Sequence, residues 1–166
     1  MAAEIVVRRA TRDDAPALAR LSIESSAYYA RIAPELFAEG ELDGFAEWIA
    51  AEWDDGPDTL ALVAEVEGSI AGYVEAVLQE PEPWRRFFGS RDLRERRLFV
   101  NAVLTGEPYR RRGIATRLVE KAEAWGRERG ATVSLLDTWA ESPASVPFWE
   151  RRMGYGRRTI VFRKRL

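Results

Sequence analysis

The sequence predicts an α/β (α+β) domain built on a mixed, mostly antiparallel sheet with helices on both faces. Two apolar runs at 59–67 and 70–78 flank the tight turn Glu67-Gly68-Ser69 and predict an antiparallel hairpin. Downstream, apolar runs at 97–104 and 132–138 enclose an amphipathic run. This order predicts a strand–helix–strand crossover, whose two strands are parallel.

The first half of the chain predicts one strand and two helical stretches before the hairpin. Residues 5–9 predict a first strand, and Thr11 and Asp14 stand at capping-box spacing at the start of a helix that runs to Ser26. A second helical stretch covers 34–53. Two glycines inside it leave open whether it is one helix or two shorter ones.

The second half begins with a charged, aromatic segment at 79–95. Its aromatic residues fit either a loop anchored to the core or the wall of a substrate pocket. After the strand at 97–104, a helix ends at Gly130, whose glycine is typical of a helix C-terminus. A compact helix at 143–153 and a final strand at 155–166 complete the predicted order β-α-α-β-β-β-α-β-α-β.

Composition excludes several kinds of chemistry. The 166 residues suit a single domain over 1–166, and they include no cysteine and no histidine. This excludes disulfides, a cysteine nucleophile, a catalytic histidine and a zinc site built from Cys or His. No carboxylate loop typical of a metal site is present, so no metal is expected. The chain has no membrane-length apolar stretch and no signal-peptide pattern, so we expect a cytoplasmic protein without a membrane partner.

Charge is distributed unevenly along the chain. Residues 1–89 hold 7 Lys or Arg and 18 Asp or Glu, for a net charge of −11, and residues 90–166 hold 18 and 9, for +9. The acidic half and the pI near 5.5 argue against nucleic acid as a partner. The asymmetry suits an enzyme that brings a polyanionic cofactor to a cationic acceptor, although solvated helix surface is the plainer explanation.

One short segment between the predicted strand and helix points to an anion site. Glycine at the bend lets the backbone N–H groups of the helix start converge, and the helix dipole adds partial positive charge there. Arginines supply further donors for phosphate oxygens. The segment is Arg110-Arg111-Arg112-Gly113-Ile114-Ala115.

This segment resembles the acyl-CoA signature of the GNAT superfamily of N-acyltransferases: Gln or Arg, two residues, Gly, one residue, then Gly or Ala. A second segment resembles the family's Asn-x-x-Ala-x-x-Phe-Tyr pattern and its Gly-Phe ending. It runs from Ser142 through Phe148-Trp149 to Gly154-Tyr155. The element order agrees over essentially the whole chain. The resemblance implies an enzyme that transfers acetyl from acetyl-CoA directly to a primary amine of a small molecule or a protein.

The resemblance also implies where acetyl-CoA binds. The loop and helix start would hold the pyrophosphate, and a bulge would splay the preceding strand from the next one so that pantetheine pairs with exposed backbone. Ser142 stands in place of the family's Asn, which contacts the cofactor chain. The implied cofactor-binding residues are Val103, Leu104, Thr105, Arg110, Arg111, Arg112, Gly113, Ile114, Ala115, Thr116 and Ser142.

The proton-transfer groups stay open among several residues. Family members often carry Glu where Asn101 stands, and Asn can orient a water but accepts no proton. Glu75 is the alternative base, and as a strand residue it shares a face with Tyr73. Trp149 occupies the position of the family's Tyr acid. The proton donor for the thiolate is therefore Tyr155, more weakly Ser145, or water.

Two other functions are alternatives to an acetyltransferase. A nucleotide-binding enzyme is excluded because the chain has neither a P-loop nor a three-glycine dinucleotide fingerprint. A GNAT-like domain that binds acyl-CoA only as a sensor or interaction module stays the alternative. The acceptor, the acyl-chain preference and the oligomeric state are left open, although relatives often form homodimers.

Overall fold

A computed structural model describes residues 4–164 of the chain. Five strands form one sheet in the order β1-β2-β3-β4-β5. The first four strands pair antiparallel and β4 pairs parallel with β5, which confirms the mixed, mostly antiparallel sheet. The strands are β1 (Ile5–Arg9), β2 (Thr59–Val66), β3 (Ser69–Gln79), β4 (Arg97–Thr105) and β5 (Val133–Leu136).

Helices lie on both faces of this sheet, as predicted. On one face, Leu18 and Leu21 of helix α1 pack into a core cluster with Tyr73 of β3. On the other face, helix α3 approaches β3 so closely at Gly72 that an added Cβ would lie 2.6 Å from Ile114 Cγ2. The helices are α1 (Ala15–Ile32), α2 (Phe45–Ala51), α3 (Ile114–Glu128) and α4 (Ser145–Pro147), which continues as a π-helical turn at Phe148–Arg152.

The turn between β1 and α1 forms the predicted capping box. The backbone N–H of Thr11 donates to Asp14 Oδ2 at 2.8 Å. In return, the Thr11 side-chain oxygen accepts from the backbone N–H of Asp14. Arg8 donates to both carboxylate oxygens of Asp14, at 2.7 and 2.9 Å, and these bonds hold the pKa of Asp14 below its usual range. The start of α1 is thereby fixed against the sheet.

The predicted helix at 34–53 is wrong over its first part. Helix α1 extends to Ile32 instead of Ser26, and α2 begins only at Phe45. Pro34 disfavours helical geometry at Ala33, and Gly44 adopts a left-handed φ of 72° immediately before α2. The intervening residues therefore form turns and irregular chain.

The predicted final strand is also wrong within the described residues, because 154–164 contain no regular structure. Its last two residues, 165 and 166, lie outside the described part. Alternation along 159–164 is typical of a strand, but a strand needs a partner edge for its backbone groups. Ile160, Val161 and Phe162 are 77%, 87% and 90% exposed.

The chain divides into two compact units. The first ends at Leu136 and contains the sheet with α1, α2 and α3; the second begins at Asp137 and contains α4. Among residues 4–164, no helix is long and apolar enough to cross a membrane.

Candidate functional site

A β-bulge in β4 brings two of the predicted catalytic residues together. Glu75 pairs with Ala102 and Ala76 pairs with Val100, so Asn101 is the extra residue of the bulge. The side chain of Asn101 donates from Nδ2 to Glu75 Oε1 at 2.9 Å. The bulge turns an exposed amide toward the carboxylate of the neighbouring strand.

Tyr73 binds the other oxygen of the same carboxylate. Its hydroxyl donates to Glu75 Oε2 at 2.9 Å, and the residue is only 8% exposed. Burial, together with the nearby Glu75 charge, raises the pKa of Tyr73 above its usual range. Tyr73 therefore stays a hydrogen-bond donor at physiological pH. Strand alternation predicted the shared face of Tyr73 and Glu75, but the hydroxyl–carboxylate bond was not anticipated.

The end of β4 has a single strand partner among the described strands. β5 pairs only with the Arg97–Val100 part of β4, so 102–105 pair with β3 alone among the described strands. Val103, Leu104 and Thr105 lie here, half-buried, and the bulge precedes them. Within the described chain, the buried hydroxyl oxygen of Thr105 has no hydrogen-bond partner.

The predicted anion loop leads from β4 into α3. After a 3₁₀ turn at Glu107–Tyr109, Arg111 and Gly113 adopt left-handed φ angles of 61° and 79°. A left-handed φ at a non-glycine residue is uncommon and is often found at functional sites. Gly113 is the N-cap of α3 and has no side chain with which to cap the first-turn N–H groups.

Side chains of the loop differ in exposure. Those of Arg110, Arg111 and Arg112 are exposed, whereas Ile114 and Thr116 point into buried surroundings and Ala115 is half-buried. Ile114, Ala115 and Thr116 can therefore contribute to a ligand mainly through their backbone.

Gly72 contacts both the end of β4 and the first residue of α3. It pairs with Thr105 in the β3–β4 ladder and lies against the Ile114 side chain. Glu75 pairs with Ala102, three residues back along β4. At the usual rise of a strand, the backbone of Glu75 is about 10 Å along β4 from the level at which Gly72 meets Ile114.

Ser142 and Tyr155 belong to the second unit. Ser142 is 2% exposed, and its Oγ accepts a hydrogen bond from the Ser145 backbone N–H at 3.1 Å. The ring of Tyr155 lies edge-to-face against Trp149, with centroids 5.1 Å apart, and Trp149 is buried. These contacts give Trp149 a packing role within the second unit.

Residues 4–164 contain no group of three or more acidic, histidine or cysteine side chains placed to hold a metal ion. The chemistry available at the bulge is that of a carboxylate with two donors. An ionised carboxylate offers about four lone-pair sites, so Glu75 can accept a further proton or hydrogen bond.

Comparison with known proteins identifies the family from the sequence and similar folds from the structure. The model of the acetyltransferase (GNAT) family matches residues 22–155. No curated protein sequence matches the chain.

Three solved proteins illustrate the structural likeness. A mutant of the BH1408 protein from Bacillus halodurans superposes with a TM-score of 0.81 at 17% identity, covering 97% of this chain and 99% of that one. A transcriptional regulator from Bacillus halodurans gives 0.73 at 19% identity, with coverage of 98% and 100%. The aminoglycoside N-acetyltransferase AAC(6')-Iy in complex with CoA gives 0.68 at 17% identity, with coverage of 100% and 98%. That enzyme has also been solved with the bisubstrate analogue CoA-S-monomethyl-acetylneamine. At these identities the likeness shows the fold alone.

Proposed function

Since the chain belongs to the GNAT acetyltransferase family, we propose that it is an N-acetyltransferase that moves an acetyl group from acetyl-CoA directly to a primary amine. One observation carries this proposal beyond the family. A carboxylate held by two hydrogen-bond donors lies at the bulge of β4, and the backbone of Glu75 is about 10 Å along the strand from the level of the start of α3.

The donor would lie along the end of β4 and across the loop. Pyrophosphate oxygens would accept from the backbone N–H groups of 111–116 and meet the charges of Arg111 and Arg112. Pantetheine would pair with the backbone at Val103–Thr105, where the Thr105 hydroxyl has no partner within the described chain.

Glu75 would act as the general base. It takes a proton from the acceptor ammonium, directly or through a water oriented by Asn101, and the freed nitrogen lone pair attacks the thioester carbonyl. The new C–N bond forms as the C–S bond breaks, and a β4 backbone N–H stabilises the charge on the carbonyl oxygen. The nitrogen then loses its second proton to water as the amide forms, and the departing thiolate takes up a proton from water.

A cationic amine is the proposed acceptor class. Exposed acidic residues precede and enter α2, and no Lys or Arg is interspersed among them: Glu35, Glu39, Glu41, Asp43 and Glu47. This field would attract polyamines, amino sugars or basic peptides. The likeness to an aminoglycoside N-acetyltransferase supports testing amino sugars first.

Two measurements test the proposal. CoA should raise the melting temperature of the chain, and incubation with acetyl-CoA and an amine panel should release free thiol. Stabilisation by CoA without thiol release for any amine would favour the acyl-CoA sensor. Absence of both would contradict the acyl-CoA site itself.

A further inference from the structure

The Arg110 side chain contacts three groups on the β4–α1 side of the loop. Its Nε donates to the Thr105 carbonyl at 3.3 Å, and its Nη2 lies 3.5 Å from Glu24 Oε1. The guanidinium carbon is 5.4 Å from the centroid of the Tyr28 ring. Arg110 therefore joins the last residue of β4 to helix α1.

Glu24 makes a second contact with the segment between β4 and α3. Its carboxylate also accepts a hydrogen bond from the backbone N–H of Glu107, the first residue of the 3₁₀ turn. One carboxylate on α1 thus contacts both the start of the loop and Arg110. Two-point attachment of this kind limits the motion of the backbone between Thr105 and Arg110.

Arg111 and Arg112 are placed differently. The backbone of Arg111 has a left-handed φ of 61°. The guanidinium carbon of Arg112 lies over the Tyr109 ring, 5.7 Å from its centroid. Both side chains are exposed, and neither shares the contacts of Arg110 to α1 and β4. These two arginines directly precede Gly113, the N-cap of α3.

Building on the acyl-CoA site proposed above, we infer that Arg110 is a positioning residue and not a phosphate ligand. Its Nε–H holds the end of β4 against the loop, so that the N–H groups from Arg111 onward converge on one point. The phosphate charge is met by Arg111, Arg112 and those N–H groups.

Titration with CoA at two salt concentrations separates these roles. An arginine that meets phosphate contributes a screened charge–charge interaction, so its loss both weakens binding and reduces the dependence of affinity on salt. A positioning arginine changes affinity without changing that dependence. The comparison uses about 50 mM and about 300 mM NaCl, which brackets a large change in screening length.

The variants are Arg110→Met, Arg110→Gln and Arg111→Gln. Met removes the N–H donor, and we expect it to raise the Kd for CoA about tenfold with the salt dependence of the wild type. Gln restores an N–H donor for the Thr105 carbonyl and should recover most of the affinity. Arg111→Gln should weaken binding and flatten the salt dependence. A flattened salt dependence for Arg110→Met, or wild-type affinity, would overturn the inference.

Hydrogen exchange of the free protein gives a readout that does not require CoA. Arg110→Met should speed amide exchange at 105–110, and Arg110→Gln should leave it near the wild-type rate. Equal exchange in all three proteins would contradict the positioning role. Failure of the wild type to bind CoA would instead contradict the proposed function, so the two failures are distinguishable.

Discussion

Glu75 and Tyr73 share one hydrogen bond but have different roles in the proposed reaction. Glu75 would accept the proton, whereas Tyr73 orients the carboxylate from a buried position. Asn101 orients it from the opposite side. Two fixed donors restrict the carboxylate to one geometry, which is what a general base needs to reach the acceptor nitrogen.

Substitution of these residues should separate the two roles. Glu75→Gln keeps the shape but removes the proton acceptor, so we expect kcat with a good amine acceptor to fall about 10²–10⁴-fold. Tyr73→Phe keeps the ring in the core and leaves the base in place. Loss of one charge-assisted hydrogen bond should reduce kcat about tenfold. Steady-state thiol release measures both values.

Glu67→Gln is the matched control, because Glu67 is an exposed residue of the hairpin turn between β2 and β3. Its kcat should equal that of the wild type. Wild-type kcat in Glu75→Gln would show that Glu75 is not the base.

At the scale of elements, β3 and α3 meet at a position that admits no side chain. A Cβ on Gly72 would lie 2.6 Å from Ile114 Cγ2 and 3.0 Å from the Leu104 carbonyl oxygen. The lack of a side chain at Gly72 therefore sets the distance between β3, which carries Glu75, and α3.

We predict that Gly72→Ala moves α3 away from the sheet. Overpacking of this kind should lower the free energy of unfolding by about 1–3 kcal/mol, and the shifted helix start should weaken CoA binding. Denaturant midpoints and CoA titration measure the two effects. Gly156→Ala is the control, since its added Cβ would have nothing within 4 Å. Equal midpoints for the two variants would refute the close-packing argument.

Elements with a strong apolar period were predictable from the sequence, and elements defined by pairing were not. Strands β2, β3 and β4 follow from short apolar runs bounded by turn residues, and helix α3 follows from apolar residues at helical spacing. The helix at 34–53 was overextended because a residue before proline and a left-handed glycine outweighed its apolar spacing.

The site was predictable in part for the same reason. Strand alternation places Tyr73 and Glu75 on one face, and the arginine-glycine segment marks the loop before α3. The hydrogen bond from Asn101 to Glu75 depends on a bulge, and a bulge is a property of the register between two strands. The contacts of Arg110 to Glu24 and Tyr28 depend on how α1 packs beside the loop.

Over the whole molecule, the separation of charge along the chain suggests separate attraction of the two substrates. The acidic part includes the exposed carboxylates before α2, and the basic part includes the loop arginines at the start of α3. Clefts of opposite sign raise the local concentration of oppositely charged ligands and speed their association. The cationic acceptor and the anionic donor would thus be drawn to different parts of the surface.

The acceptor kinetics should therefore depend on salt according to acceptor charge. With acetyl-CoA saturating, the KM of a polyamine should rise severalfold from about 50 mM to about 300 mM NaCl, because salt screens exposed charges. An aromatic amine, uncharged at neutral pH, should show little change. Glu39→Gln combined with Glu41→Gln should raise the polyamine KM at low salt, whereas Glu120→Gln, on the exposed face of α3, should not. If both acceptors respond to salt equally, the acidic surface does not select the acceptor, and acceptor preference must come from contacts near Glu75.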